Sequence, residues 1–146
     1  MIMKPTVRPT DNAPGAAAPQ LGIFVRDIMR AGVVSVPEDA SLRQVQRAMA
    51  AHDVHAVLVV GAREGTPLGW VTAHGLLAYV HHDPGLTRAA TAITEPAVGI
   101  EPSATVAEAV EALAGTGGGH LVVAAEAGRP PEGVVSDLDI VRLLAG

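Results

Sequence analysis

Cysteine is absent from the 146-residue chain. That excludes disulfides and thiolate metal sites, and it fits a reducing compartment. Aromatic residues are almost absent too: Phe24, Trp70 and Tyr79 are the only three. Although 49% of the residues are apolar, the core must therefore be built from Val, Leu, Ile and Ala. No apolar run approaches the roughly 20 residues of a membrane span. The start of the sequence lacks the apolar stretch of a signal peptide, so a cytoplasmic protein is expected. Basic residues are few and scattered, ten against fifteen acidic, for a formal net charge of -5. Such a chain has no basic footprint for nucleic acid.

What is present is a repeat. Gly69-Trp-Val-Thr-Ala-His-Gly-Leu-Leu and Gly133-Val-Val-Ser-Asp-Leu-Asp-Ile-Val agree class by class, 64 positions apart. The same offset pairs Val34-Ser-Val36 with Val98-Gly-Ile100 and Ser41-Leu-Arg-Gln44 with Thr105-Val-Ala-Glu108. It also pairs Val57-Leu-Val-Val60 with Leu121-Val-Val-Ala124. A long period with two copies means two like domains in tandem rather than a solenoid. Each copy alone is marginal in size. Packed together they would enclose clefts, and a cleft is where a ligand goes.

Residues 1–20, rich in Pro, Ala and Gly without periodicity, read as a disordered tail. Residues 21–83 form the first repeat and 84–146 the second. Phe24 to Met29 suggests a short lead-in helix. A strand follows at Val33 to Val36, then a helix from Ser41 to about His52 with Leu42, Val45, Ala48 and Met49 on one stripe. Ser41 with Gln44 makes a capping box, and Thr105 with Glu108 repeats it. Strands at Val57 to Val60 and Leu68 to Thr72 precede a second helix from Ala73 to His81. The second copy repeats the course: strand at Val98, helix from Val106, strands at Leu121 and Gly133, helix from Asp137. The order is β-α-β-β-α twice, an α/β fold of two pseudo-symmetric repeats packed as one module. Leu76, Leu77, Tyr79 and Val80, and Leu138, Ile140, Val141, Leu143 and Leu144, make the closing helices apolar on more than one side. They are expected to pack against each other and against a partner chain, giving a homodimer.

The duplicated order, the opening Val25-Arg-Asp-Ile-Met29 and the closing Gly133-Val-Val-Ser136-Asp-Leu-Asp139-Ile140 resemble a CBS-domain pair, the Bateman module. The resemblance covers residues 25–146. It implies a regulatory module that binds an adenosine ligand (AMP, ADP, ATP or S-adenosylmethionine) between repeats, with no cofactor required. The resemblance gives Asp139 the ribose hydroxyls and Ser136 the ribose or phosphate. It sets Ala97-Val98 and Gly119-His120-Leu121 beside base and phosphates. The first repeat keeps Thr72 but has Gly75 in place of the acid, so the two clefts are expected to be unequal.

Each of these residues also has a plainer reading. Ser136 and Asp139 can cap a helix and complement its positive end. The first repeat turns from strand to helix with Gly75, so that turn does not need a carboxylate. The Ser136 hydroxyl and nearby amides would suit a phosphate. His120 can face a ligand or simply begin a strand. Gly117-Gly-Gly119 precede a strand, outside the context of a phosphate loop. His52-x-x-His55 and His81-His82-Asp83 lack a placed third metal ligand. Arg142 can reach a phosphate or serve a helix C-terminus. No nucleophile, elbow or acid/base pair emerges, so an enzyme is not expected. The sequence thus predicts a dimeric adenosine-ligand sensor. A ligand-free dimerisation or protein-interaction module is the alternative.

Overall fold

The computed structural model describes residues 18–126 and 129–146, so most of the expected tail lies outside the described residues. The chain forms α1 (Val25–Ile28), β1 (Arg30–Ala31), β2 (Ser35–Pro37), α2 (Leu42–His52), β3 (Ala56–Val60), β4 (Pro67–Thr72) and α3 (Ala73–Leu76). It continues with β5 (Glu95–Pro96), β6 (Gly99–Ile100), α4 (Val106–Thr116), β7 (His120–Val123), β8 (Gly133–Ser136) and α5 (Asp137–Leu144). Pro19–Gly22, Leu77–Tyr79 and Ala89–Ala92 are short 3-10 turns.

The helix starts follow their side chains. Ser41 Oγ accepts from the Gln44 amide at 3.2 Å, and Gln44 Oε1 accepts from the Ser41 amide at 2.9 Å, which closes the expected box. At α4 the hydroxyl half forms, with Thr105 Oγ1 accepting from the Glu108 amide at 3.3 Å. Both helices end on a left-handed residue, Asp53 (φ 51) and Gly117 (φ 68), which hold corresponding places in the two repeats.

Strands β2-β3-β4-β5 form one sheet and β1-β8-β7-β6 the other. The offset of the sequence survives in the register. Ser35 lies opposite Leu58 as Gly99 lies opposite Val122, and Ala56 opposite Thr72 as His120 opposite Ser136. Alternate residues of β3 and β7 point to opposite faces. Val57 and Val59 enter a core with α2, while Leu121 and Val123 enter a second core with α4 and α5. Leu58 and Val122 face a third cluster between the sheets, which Trp70, the largest of the fully buried side chains, helps fill.

The two-residue strands β1 and β5 exchange the halves. β1, between α1 and β2 of the first repeat, pairs with β8 in the second sheet, and β5 pairs with β4 in the first. The segments before them cross in the same way. The Val106 amide donates to Ile23 O and the Leu42 amide to Thr87 O, both at 2.8 Å. Val25 is fully buried in the second core and Ala89 in the first. Glycine makes this exchange possible. A Cβ at Gly133 would collide with the Arg30 carbonyl, and one at Gly69 with Ile93 and the Glu95 carbonyl.

The closing helices differ from expectation. The second helix of the first repeat is one α-turn, Ala73–Leu76, followed by 3-10 residues, where Ala73 to His81 was expected. Glycine at position 75 costs helix stability and brings no capping acceptor, whereas α5 has Asp139 there and runs eight residues. Nor are the two closing helices each other's principal neighbours. α5 packs on α4, α1 and β8, and α3 on β4.

Candidate functional site

Strand β8 runs directly into α5, so Ser136 is at once the last strand residue and the helix N-cap. Its hydroxyl accepts from the Asp139 amide at 3.2 Å, and Asp139 Oδ2 accepts from the Ser136 amide at 2.9 Å. The capping reading of this pair is therefore realised. Asp139 Oδ1 meets Arg30 Nε of β1 at 3.3 Å; the Asp139 side chain is 9% exposed and that of Arg30 55%. A carboxylate offers about four lone-pair positions, so these two contacts leave acceptor capacity.

The pair opens onto a cleft of about 610 Å³. It is lined by β1, the link Gly32 to Val34, the α2–β3 turn from His52 to Ala56, and the start of α5, together with Trp70, His120 and Val134. Trp70 is 2% exposed, and its indole N–H has no acceptor among the described residues. Its ring lies 5.2 Å from that of His120. The first three amides of α5 are all engaged. Asp137 N–H donates to Gly119 O at 2.9 Å, Leu138 N–H to Asp137 Oδ1 at 2.7 Å, and Asp139 N–H to Ser136 Oγ. The expectation that these amides would receive a phosphate is corrected accordingly.

Of the residues singled out by sequence, Ser136, Asp139 and His120 line this cleft. Val98, Gly119, Leu121 and Thr72 do not. Leu121 is fully buried in the second core, and Val98 packs on that core while its carbonyl accepts from Val122 N–H. Gly119 donates its amide to Glu95 Oε1 at 2.9 Å. Thr72 caps α3, accepting from the Gly75 amide at 3.0 Å. The reason is the exchange of halves. The segments that wall the Asp139 cleft come from the first repeat, Val33-Val34 and His55-Ala56, which are the 64-residue counterparts of Ala97-Val98 and Gly119-His120. The known offset, applied crosswise, would have found them, though not Arg30 or Asp53. His52 and His55 stand in the same wall, yet among the described residues no three metal-ligating side chains come together.

The corresponding region of the first repeat is built differently. Trp70 lies opposite Glu95 in β5, whereas its counterpart Val134 lies opposite Arg30. A glutamate thus holds the place of the arginine. Its Oε1 accepts from Gly119 N–H and meets His120 Nδ1 at 3.2 Å. It lies close over the turn, since a Cβ on Gly118 would stand 2.8 Å from it. Thr94 crowds Gly75, with two side-chain atoms 3.2 Å from where a Cβ would sit.

Two interlaced β-α-β-β-α halves with a cleft at the strand-to-helix turn define a tandem α/β module. The CBS-domain model matches the chain twice, over residues 25–82 and 89–146, and the chain belongs to the CBS-domain family. Modules of this family are generally regulatory rather than catalytic. A CBS-domain-containing protein of Agrobacterium tumefaciens is 26% identical with a TM-score of 0.70, over 88% of this chain and 98% of that one. A CBS-domain protein of Pyrobaculum aerophilum complexed with AMP is 21% identical (TM-score 0.70, 85% of this chain, 100% of that one). The CBS domain of a bacterial CNNM/CorC-family Mg2+ transporter in complex with ATP is 22% identical (TM-score 0.74, 87% and 90%). No curated protein matches the chain in sequence. Among the described residues no helix is long and apolar enough to cross a membrane.

Proposed function

We propose that the chain is a regulatory module that binds an adenosine ligand in the Asp139 cleft and signals through a homodimer. The observation that carries this reading is the Ser136–Asp139 pair at the mouth of a cleft of about 610 Å³. In this reading the free lone pairs of Asp139 accept from the ribose hydroxyls. Val33, Val34 and Ala56 offer an apolar flank to the base. Similar folds with AMP and with ATP bound support the ligand class. No cofactor is required, and S-adenosylmethionine belongs to the same class of candidates.

A second reading has its own support. Both oxygens of Asp139 already have partners within the protein. A ligand-free interaction module would use Asp139 only as a cap and as a tie to β1. Calorimetry with adenosine separates the two. Asp139→Asn keeps an amide oxygen for the cap but loses the charge. On the ligand reading it should bind adenosine roughly ten- to a hundredfold more weakly, since hydrogen bonds to a charged group are worth about 1.5–3 kcal/mol. Unchanged affinity in a folded variant would remove Asp139 from the site, and absence of binding in the wild type would favour the interaction module.

A further inference from the structure

We infer that the Asp139 cleft selects adenosine compounds whose 5′ substituent is uncharged or cationic and disfavours polyphosphates. The inference rests on the adenosine reading and narrows it to a ligand class.

A helix start attracts phosphate when its amides are free and its dipole is uncompensated. Neither condition holds at α5. Its first three amides are engaged by Gly119 O, Asp137 Oδ1 and Ser136 Oγ. Two of its first three residues, Asp137 and Asp139, carry carboxylates that already complement the dipole. The rest of the cleft does not restore a positive field. Its walls hold one arginine against three aspartates, Asp53, Asp137 and Asp139, a formal charge of -2 with the histidines neutral. The one guanidinium is tied through Nε to Asp139.

The other repeat serves as an internal control. α3 starts with Ala73 at the counterpart of Asp137, so a carboxylate there is not needed to begin the helix. The α4 C-cap is Gly117 at the counterpart of Asp53, and glycine adopts the left-handed conformation of that cap more easily than aspartate. With Gly75 at the counterpart of Asp139, all three acids stand where the fold uses an uncharged residue in its other half. A triphosphate entering this cleft meets like charge with no free helix amide to receive it. A sulfonium or ammonium group meets opposite charge.

The test is calorimetry at low ionic strength without divalent cations, with adenosine, AMP, ATP and S-adenosylmethionine. S-adenosylmethionine and adenosine should bind tightest and AMP less well. ATP should be weaker than adenosine by about tenfold or more, a gap that salt narrows. Asp137→Asn, which keeps an oxygen for the Leu138 amide, should narrow the ATP-to-adenosine gap several-fold. So should Asp53→Asn, since asparagine tolerates the left-handed conformation; it stands in should Asp137→Asn fail to fold. ATP binding as tightly as adenosine, or a gap unmoved in a folded variant, would overturn the inference while leaving the adenosine reading intact. Binding of none of the four compounds would sink both.

Discussion

At the scale of single residues the two repeats diverge where the chemistry lies. The second has Asp139 and Arg30, while the first has Gly75 and Glu95. The sequence alone suggests that the first cleft lacks mainly a carboxylate, and that Gly75→Asp would supply one. Thr94 and Glu95 change that expectation. A Cβ at 75 would sit 3.1 Å from Thr72 Oγ1 and 3.2 Å from two atoms of Thr94, so the neighbours must give way. Glu95 already places an acid beside the Gly117 to Gly119 turn. Gly75→Asp alone should therefore leave the stoichiometry of adenosine binding at one per chain, and an isotherm resolving a second site would refute this. Ser136 and Asp139 were legible because a strand-to-helix turn leaves its signature in neighbouring residues, whereas His120, the first residue of β7, came from the family resemblance. Arg30 and Asp53 were not legible, because Arg30 reaches the cleft through the pairing of β1 with β8 and Asp53 is the left-handed cap of α2, on the other half from Asp139.

Among the elements, capped helices were the most readable. Ser41 with Gln44 and Ser136 with Asp139 mark helix starts that the structure reproduces to the residue. Strands β3, β4, β7 and β8 follow their β-branched runs. Strands β1 and β5, two residues each, have too few side chains to show a period, and they are the elements that interlace the fold. The closing segments were expected to be apolar on more than one side and to pack against each other; the structure instead divides their apolar residues between the two cores and the surface. Ile140 lies in the second core, while Leu76 and Tyr79 pack on the first. Leu77, Val80, Leu138 and Val141 remain exposed. A second copy covering that surface would form the proposed homodimer. Val141, 60% exposed on α5, gives the test. Val141→Lys should convert dimer to monomer in sedimentation at micromolar concentration without lowering helix content. A wild-type protein already monomeric there would refute the dimer.

For the molecule as a whole, three clusters of apolar residues share walls. Each sheet gives one face to its helices and the other to the cluster around Trp70. The two halves should therefore melt together. Leu121→Ala, at a fully buried position of the second core, should cost about 2–5 kcal/mol and lower one single transition. A melt that splits in two, with the first half keeping the wild-type midpoint, would show that the halves unfold separately. The exchange of edge strands has a consequence for the link between residues 82 and 88. The piece before it owns β1, the edge that the second sheet needs, and the piece after it owns β5, the edge that the first sheet needs. A protease cutting there would produce no independent fragments. Each piece would still be clasped by the other through backbone hydrogen bonds on both sides, as two hands stay joined when the string between their wrists is cut.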